Sequence, residues 1–337
     1  MTDIGQQVKD LSQERDSEDE ILRWNLDALV SALRYSREVS HNIRPKGTLS
    51  QAPSRETLAH ILEDLAAALF PTHYGQSELG RENIDYFVGD TLNRALVSLV
   101  EQVRRSLLFS GDVRGQAAVA HEASSMVRDF AAELPSLRGA LVGDLRAAYQ
   151  GDPAAANLYE ILLSYPGMAA IIYHRLAHSL HGRGAPLIAR LVSRIAHSKT
   201  GIDIHPGAKI GADFFIDHGT GVVIGETTII GERVRVYQAV TLGARSFPAD
   251  DNGTLIKGAA RHPIIEDDVV IYAGATILGR VTIGRGSTIG GNVWLTRSVP
   301  PNSHVSQAEI RNSEGTKRRD DNTVQPLHIV KSENGFL

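Results

Sequence analysis

The chain has 337 residues, 42% of them hydrophobic and 22% charged, with a formal net charge of −4 and no cysteine. That is enough for two domains of ordinary size in a soluble globular protein, and the missing cysteines exclude disulfides, thiolate metal sites and a cysteine nucleophile. Nucleic acid is not an expected partner, because the one basic cluster, Lys317-Arg318-Arg319, runs at once into Asp320-Asp321.

The chain opens with MTDIGQQVKDLSQERDSEDE, polar, acidic and unlike a signal or transit peptide. Residues 1–18 are expected to be flexible. No apolar run approaches the roughly 18–20 residues that span a bilayer, so no membrane contact and a cytoplasmic location are expected. From 19 to 199 the patterning is helical. In EILRWNLDALVSALRYSREV (20–39), Ile21, Leu22, Leu26, Leu29 and Leu33 recur at three- and four-residue spacings. Similar segments lie near 55–69, 90–109, 116–133 and 135–149, separated by Pro and Gly. Three shorter helices are predicted at about 153–164, 167–181 and 185–197, the first opened by Asp152 as N-cap and Pro153 in the first turn. His174, His178 and His181 share a helix without the Glu of an HExxH pattern. They read as packing or surface residues, and no metal site is expected.

Near residue 200 the period becomes six. The aliphatics Ile204, Ile210, Ile216 and Val222 form one ladder and Ile224, Ile230, Val236 and Leu242 a second, shifted by two. A third runs Ile265, Ile271, Ile277, Ile283, Ile289, Leu295 without a miss. Neither a helix nor a simple strand has this period. A parallel β-helix of hexapeptides does, because each short strand turns one aliphatic inward and then rounds a corner. The fold class is therefore α+β: a helical domain over 19–199, then a β-helix over 200–306. A polar, turn-rich loop (244–263) is expelled from the coil, and long loops in compact domains are often functional. Residues 307–337 are too polar to fold alone and read as a flexible tail.

One wall-forming stretch, DFFIDHGTGVVIGE (213–226), stops to present Asp217-His218 among glycines. A histidine has no structural reason to sit there, whereas its ordinary pKa near 6.5 suits a general base. Asp203 lies about one coil earlier and could orient that imidazole from the neighbouring coil. Asp152 and Asp217 could hold an ammonium group, and Arg261 a carboxylate.

The run DIHPGAKIG (203–211), IDHGTGVVIGE (216–226), YQAVTLGA (237–244) and RHP (261–263), after a helical N-terminal half, resembles the serine O-acetyltransferases from about Asp152 to Ser306. The resemblance implies a left-handed β-helix and transfer of acetyl from acetyl-CoA to the L-serine hydroxyl. The product is O-acetyl-L-serine, in the first step of cysteine biosynthesis. It implies acetyl-CoA as co-substrate with no permanently bound cofactor, and L-cysteine as feedback inhibitor. A homo-oligomer is implied, a trimer or a dimer of trimers, with sites between neighbouring β-helices. Residue by residue, it implies His218 as general base and Asp203 as its carboxylate partner. Asp152, Asp217, Arg261 and His262 would hold serine, and Gly243, Ala273 and Gly291 would line the acetyl-CoA groove with backbone. The departures are Ala244 after TLG, a longer loop before RHP, the absence of a basic position that the family often has near Thr288, and a terminal Leu337 where many members end in isoleucine. The last of these predicts weak or no binding to O-acetylserine sulfhydrylase. Three rivals stay open: transfer to another hydroxyl acceptor such as homoserine, a zinc carbonic anhydrase on the same coil, and a non-catalytic partner of the sulfhydrylase.

Overall fold

The computed structural model describes residues 25–41, 51–75, 80, 83–110, 114–246, 250, 253–307 and 329–331. The expected flexible N-terminus and, apart from a short strand, the tail after residue 307 lie outside the described residues. The chain divides into two compact units, 1–49 and 50–337. In the first, helix α1 (Leu26–Tyr35) is capped by the Asn25 side chain, which accepts from the Ala28 N–H at 3.2 Å, and a π-helical turn over Ser36–Ser40 ends it.

The second unit holds the other helices: α2 (Arg55–Leu69), α3 (Pro71–Tyr74), α4 (Ile84–Phe109), α5 (Gln116–Gly151), α6 (Leu158–Ser164), α7 (Pro166–Gly182) and α8 (Pro186–Thr200). Two sequence-based boundaries need correction. Pro135 predicts a break, yet α5 is one helix of 36 residues with the proline inside it. Its buried positions, Val119, Ala123, Val127, Phe130, Leu134, Leu141, Leu145 and Ala148, keep one helical phase across the proline. Burying that continuous stripe outweighs the roughly 3 kcal/mol that an interior proline costs. Nor does Asp152 open a helix. It is the C-cap of α5, and its Oδ1 accepts from the Ala154 N–H at 2.8 Å to shape a turn. The next helix starts at Leu158 with Asn157 as N-cap.

From Asp203 the chain winds into a prism of three parallel sheets. Face one stacks β1 (Asp203–Ile204), β4 (Val223–Ile224), β7 (Thr241–Gly243), β10 (Thr276–Leu278) and β13 (Trp294–Leu295). Face two stacks β2 (Lys209–Ile210), β5 (Ile229–Ile230), β8 (Ile264–Ile265) and β11 (Thr282–Ile283). Face three stacks β3 (Phe215–Ile216), β6 (Arg235–Val236), β9 (Val270–Ile271), β12 (Thr288–Ile289) and β14 (Ser303–Val305), edged by the antiparallel strand β15 (Ile329–Lys331). The third ladder is buried throughout, from Ile265 to Leu295.

The first ladder needs adjusting. Ile216 pairs with Val236, 20 residues on, whereas Ile224 pairs with Leu242, 18 residues on. The corner between them therefore carries two extra residues, and the inward residue after Ile216 is Ile224. Val222 is instead a buried corner residue. The hydrogen bonds identify the extra pair. The N–H groups of Gly221, Ala239, Gly274 and Asn292 donate to the carbonyls of Gly201, Thr220, Gln238 and Ala273, and these four donors share a positive φ. What the first corner adds is His218 and Gly219, at φ 55° and 88°.

The helices are fastened to the first coil through Asp144. Its carboxylate accepts from Arg175 Nε at 2.6 Å and Nη2 at 2.7 Å, and from the Phe214 N–H at 2.9 Å. Arg175 donates onward to the Gly211 carbonyl at 2.9 Å. Nearby, α7 begins so close to the coil that a Cβ on Gly167 would lie 2.2 Å from the Ile216 carbonyl oxygen. Asp144→Ala strands a buried guanidinium, so the expected loss is about 3–5 kcal/mol in urea unfolding.

Candidate active site

Asp152, Asp217 and His218 converge at the enlarged first corner. His218 is 73% exposed at its side chain and carries Nε2 4.0 Å from Asp217 Oδ1, whose side chain is only 14% exposed. A non-glycine residue in the left-handed region costs on the order of 1–2 kcal/mol, and here that conformation turns the imidazole out of the wall. Asp152 approaches from the end of α5. Its Oδ2 accepts from the Tyr165 hydroxyl at 2.6 Å. That hydrogen bond holds the Asp152 carboxyl below its ordinary range, helped by the Ala154 N–H and, less strongly, by the charges of His218 and Arg235. Tyr165 in turn is pushed up to about 12 by Asp152, with Asp217 adding to the effect. The corner thus sets two carboxyl side chains, Asp152 and Asp217, beside one exposed imidazole, a pattern suited to an ammonium next to a proton in transit.

Asp203 is the first residue of β1, on the edge of face one that this corner feeds. Its Oδ2 pairs with Arg194 Nη1 of α8 at 3.0 Å. The expected Asp203–His218 hydrogen bond is not among the contacts of the described residues.

Arg261 and His262 end the expelled loop at the opposite edge of face one, where it gives way to face two. Thr227 fixes them there. Its Oγ1 accepts from the backbone N–H groups of Arg261 at 2.9 Å and His262 at 3.1 Å. The Thr227 N–H donates to His262 Nδ1 at 3.1 Å. A backbone N–H only donates, so the neutral ring carries its proton on Nε2. Burial, followed by the Arg261 charge, lowers the His262 pKa and favours that neutral form. The ring packs against Gly225, where a Cβ would lie 2.0 Å from Cδ2. Arg261 Nη2 donates to Glu226 Oε2 at 2.6 Å. His205, a turn residue, takes the Gly207 N–H on Nδ1 at 2.9 Å. Its pKa falls to about 4, first through burial and then through the charge of Arg190.

Gly243 closes β7 at this same edge, whereas Ala273 and Gly291 lie on the His218 edge, where a Cβ on Gly291 would lie 3.2 Å from the Ala273 carbonyl oxygen. The structure therefore brings Asp152, Asp217 and His218 together and sets Arg261 and His262 one face away. Of the three helix histidines, His174 is buried with Nδ1 unpartnered and His178 Nδ1 lies 2.8 Å from the Pro206 carbonyl. Among the described residues no three His, Asp or Glu side chains are grouped to hold a metal, and no helix is long and apolar enough to cross a membrane.

A family model described as bacterial transferase hexapeptide (six repeats) matches residues 262–297. Over 297 residues the chain is 57% identical to a protein of Synechococcus elongatus named "Serine acetyltransferase, plasmid", covering 86% of this chain and 92% of that one. The chain belongs to the serine acetyltransferase family. A serine acetyltransferase of Mycobacterium tuberculosis is 48% identical over 166 residues, 49% of this chain and 69% of that one. Among solved structures, Entamoeba histolytica serine acetyltransferase 1 in complex with L-cysteine aligns with a TM-score of 0.66 at 37% identity, covering 78% of this chain and 91% of that one. The prism is accordingly the left-handed β-helix of the family.

The sequence reading missed Tyr165, Thr227, Glu226 and Arg194. Tyr165 left the clearest trace, an aromatic directly before the Pro166-Gly167 that starts a helix against the coil. Tyr165→Phe removes a hydrogen bond to a charged group, so the KM for the amino-acid acceptor should rise roughly tenfold, with the acetyl-CoA KM within about twofold. The His205 imidazole predicts a pH effect. The unfolded chain protonates it below about 6.5 and the folded chain only near 4, so stability is lost as pH falls through that window. Urea midpoints between pH 7 and 4.5 should fall less steeply for His205→Asn than for the unsubstituted chain.

Proposed function

We propose that the chain is an acyltransferase that moves the acetyl group of acetyl-CoA to the hydroxyl of L-serine, giving O-acetyl-L-serine and CoA, with no permanently bound cofactor. The observation that carries this reading is the enlarged first corner, which sets an exposed imidazole between Asp217 and a tyrosine-held Asp152 in a chain of this family. Serine is a zwitterion. Its ammonium group pairs with Asp152 and Asp217, and its carboxylate with Arg261.

His218 takes the hydroxyl proton as the serine oxygen attacks the thioester carbonyl. The tetrahedral oxyanion collapses, the C–S bond breaks, and the thiolate of CoA leaves with the proton held by His218. His262, with its proton on Nε2, orients the hydroxyl or the oxyanion. Asp203 steadies the imidazolium. One of its oxygens is engaged by Arg194, and the other is without a hydrogen bond among the described residues. Gly243, Ala273 and Gly291 line the groove for the co-substrate.

The two halves of this set sit on opposite edges of one face, so a complete site needs a second copy to bring its Arg261 and His262 to this chain's His218. That supports the homo-oligomer, as a trimer or a dimer of trimers. L-cysteine replaces the serine oxygen by sulfur and keeps both charged groups, so it enters as a competitor of serine. The complex of the Entamoeba relative with L-cysteine supports this.

Acetyl-CoA consumption with L-serine, homoserine and a galactoside tests the reading, and serine should be used far faster than the others. His218→Ala should lower kcat by roughly 10²–10⁴-fold with acetyl-CoA binding retained. A variant within twofold of the unsubstituted enzyme removes His218 from the mechanism.

A further inference from the structure

The reactive end of the co-substrate has to reach His218 at the first corner. The prism is roofed on that side, because α7 packs on Ile216 through Gly167 and α8 runs straight into β1. An elongated molecule with its thioester at His218 therefore extends the other way, along the stacked corners. The column beneath it is Thr220, Gln238, Ala273 and Gly291, each carbonyl but the last accepting from the coil below. Coils stack about 4.8 Å apart, so Gly291 lies three coils, or about 14 Å, beyond the level of His218. That is comparable with the reach of an extended pantetheine arm.

Two groups along this path lack a partner. Gln238 Oε1, in the second corner, is buried and receives no hydrogen bond. A buried acceptor in that state is unfavourable until something supplies a donor. Trp294 follows three residues after Gly291. It is the outward residue of β13 and is 63% exposed, with neither its ring nor its N–H engaged among the described residues. The outward row behind it runs through Thr276, Thr241 and Val223 to Asp203. Small side chains thus floor the path, and the indole stands where the arm ends.

We propose that Trp294 is the platform on which the adenine of acetyl-CoA stacks, with Gln238 Oε1 accepting an N–H of the pantetheine arm. This rests on the acetyl-CoA reading above. Adenine presents a flat π face, and an exposed indole suits it without further groups.

The chain has two tryptophans, so Trp24→Phe leaves Trp294 as the sole indole reporter. In that variant, CoA and adenosine 3′,5′-bisphosphate should each quench the emission saturably, and pantetheine should not. Trp294→Ala should raise the acetyl-CoA KM about tenfold more than the acetyl-pantetheine KM, and Trp294→Phe should restore most of the difference. Gln238→Leu should raise both KM values together. Unchanged emission at saturating CoA in an enzyme that acetylates serine overturns the stacking and leaves the function standing. So do equal rises in both KM values for Trp294→Ala with loss of the oligomer, which make Trp294 a contact between copies. No acetyl transfer to serine by the unsubstituted enzyme counts instead against the reading beneath.

Discussion

The arrangement hangs on one buried carboxylate. Asp144 takes both arms of the Arg175 fork and the backbone N–H of Phe214. It thereby joins the long helix α5, helix α7 and the first coil at one point. The elements that bring Asp152 and Tyr165 to His218 all leave from that joint. Asp152 ends α5 two turns beyond Asp144, and Tyr165 opens the helix that carries Arg175. A pair this buried returns little net stability, because desolvation offsets much of the attraction. What it does supply is position, since one carboxylate ties donors from α7 and from the first coil to the same point on α5.

Electrostatics then divides the chemistry between two edges. At the His218 edge, Asp152 is kept anionic by a phenol whose own ionisation is suppressed. At the opposite edge, burial keeps His262 and His205 neutral, and a threonine selects the tautomer. One edge is built to receive positive charge and a proton, the other to donate hydrogen bonds from a cation and an imidazole.

Much of this was legible in the sequence. The period of six gave the coil because each strand must turn one aliphatic inward, and that constraint is local. The expelled loop was legible because its polar, turn-rich residues interrupt a ladder. The step from Ile216 to Ile224 was written there as a shift of two, but reading Val222 as a ladder residue hid which pair was extra. Pro135 misled because a single residue's preference was outweighed by a stripe of burial spread over the whole of α5. Asp152 was found through its likeness to a motif, although its local signal, Asp before Pro, pointed to a helix start that does not form. Tyr165, Thr227 and Arg194 escaped for a common reason. Each pairs across an element boundary, with Asp152, with Arg261 and His262, and with Asp203 respectively, and no helical or strand period encodes such a pairing.

The inserted pair at the first corner has a consequence for how such a protein could change. His218 and Gly219 interrupt the repeat without contributing to it: the strands on either side pair as they do elsewhere in the prism, and the aliphatic ladder resumes at Ile224. The scaffold and the reactive group are therefore separable modules. A descendant that lost the pair would regain an unbroken repeat at no cost to its core, while one that lengthened the corner could explore new acceptors on an unaltered frame.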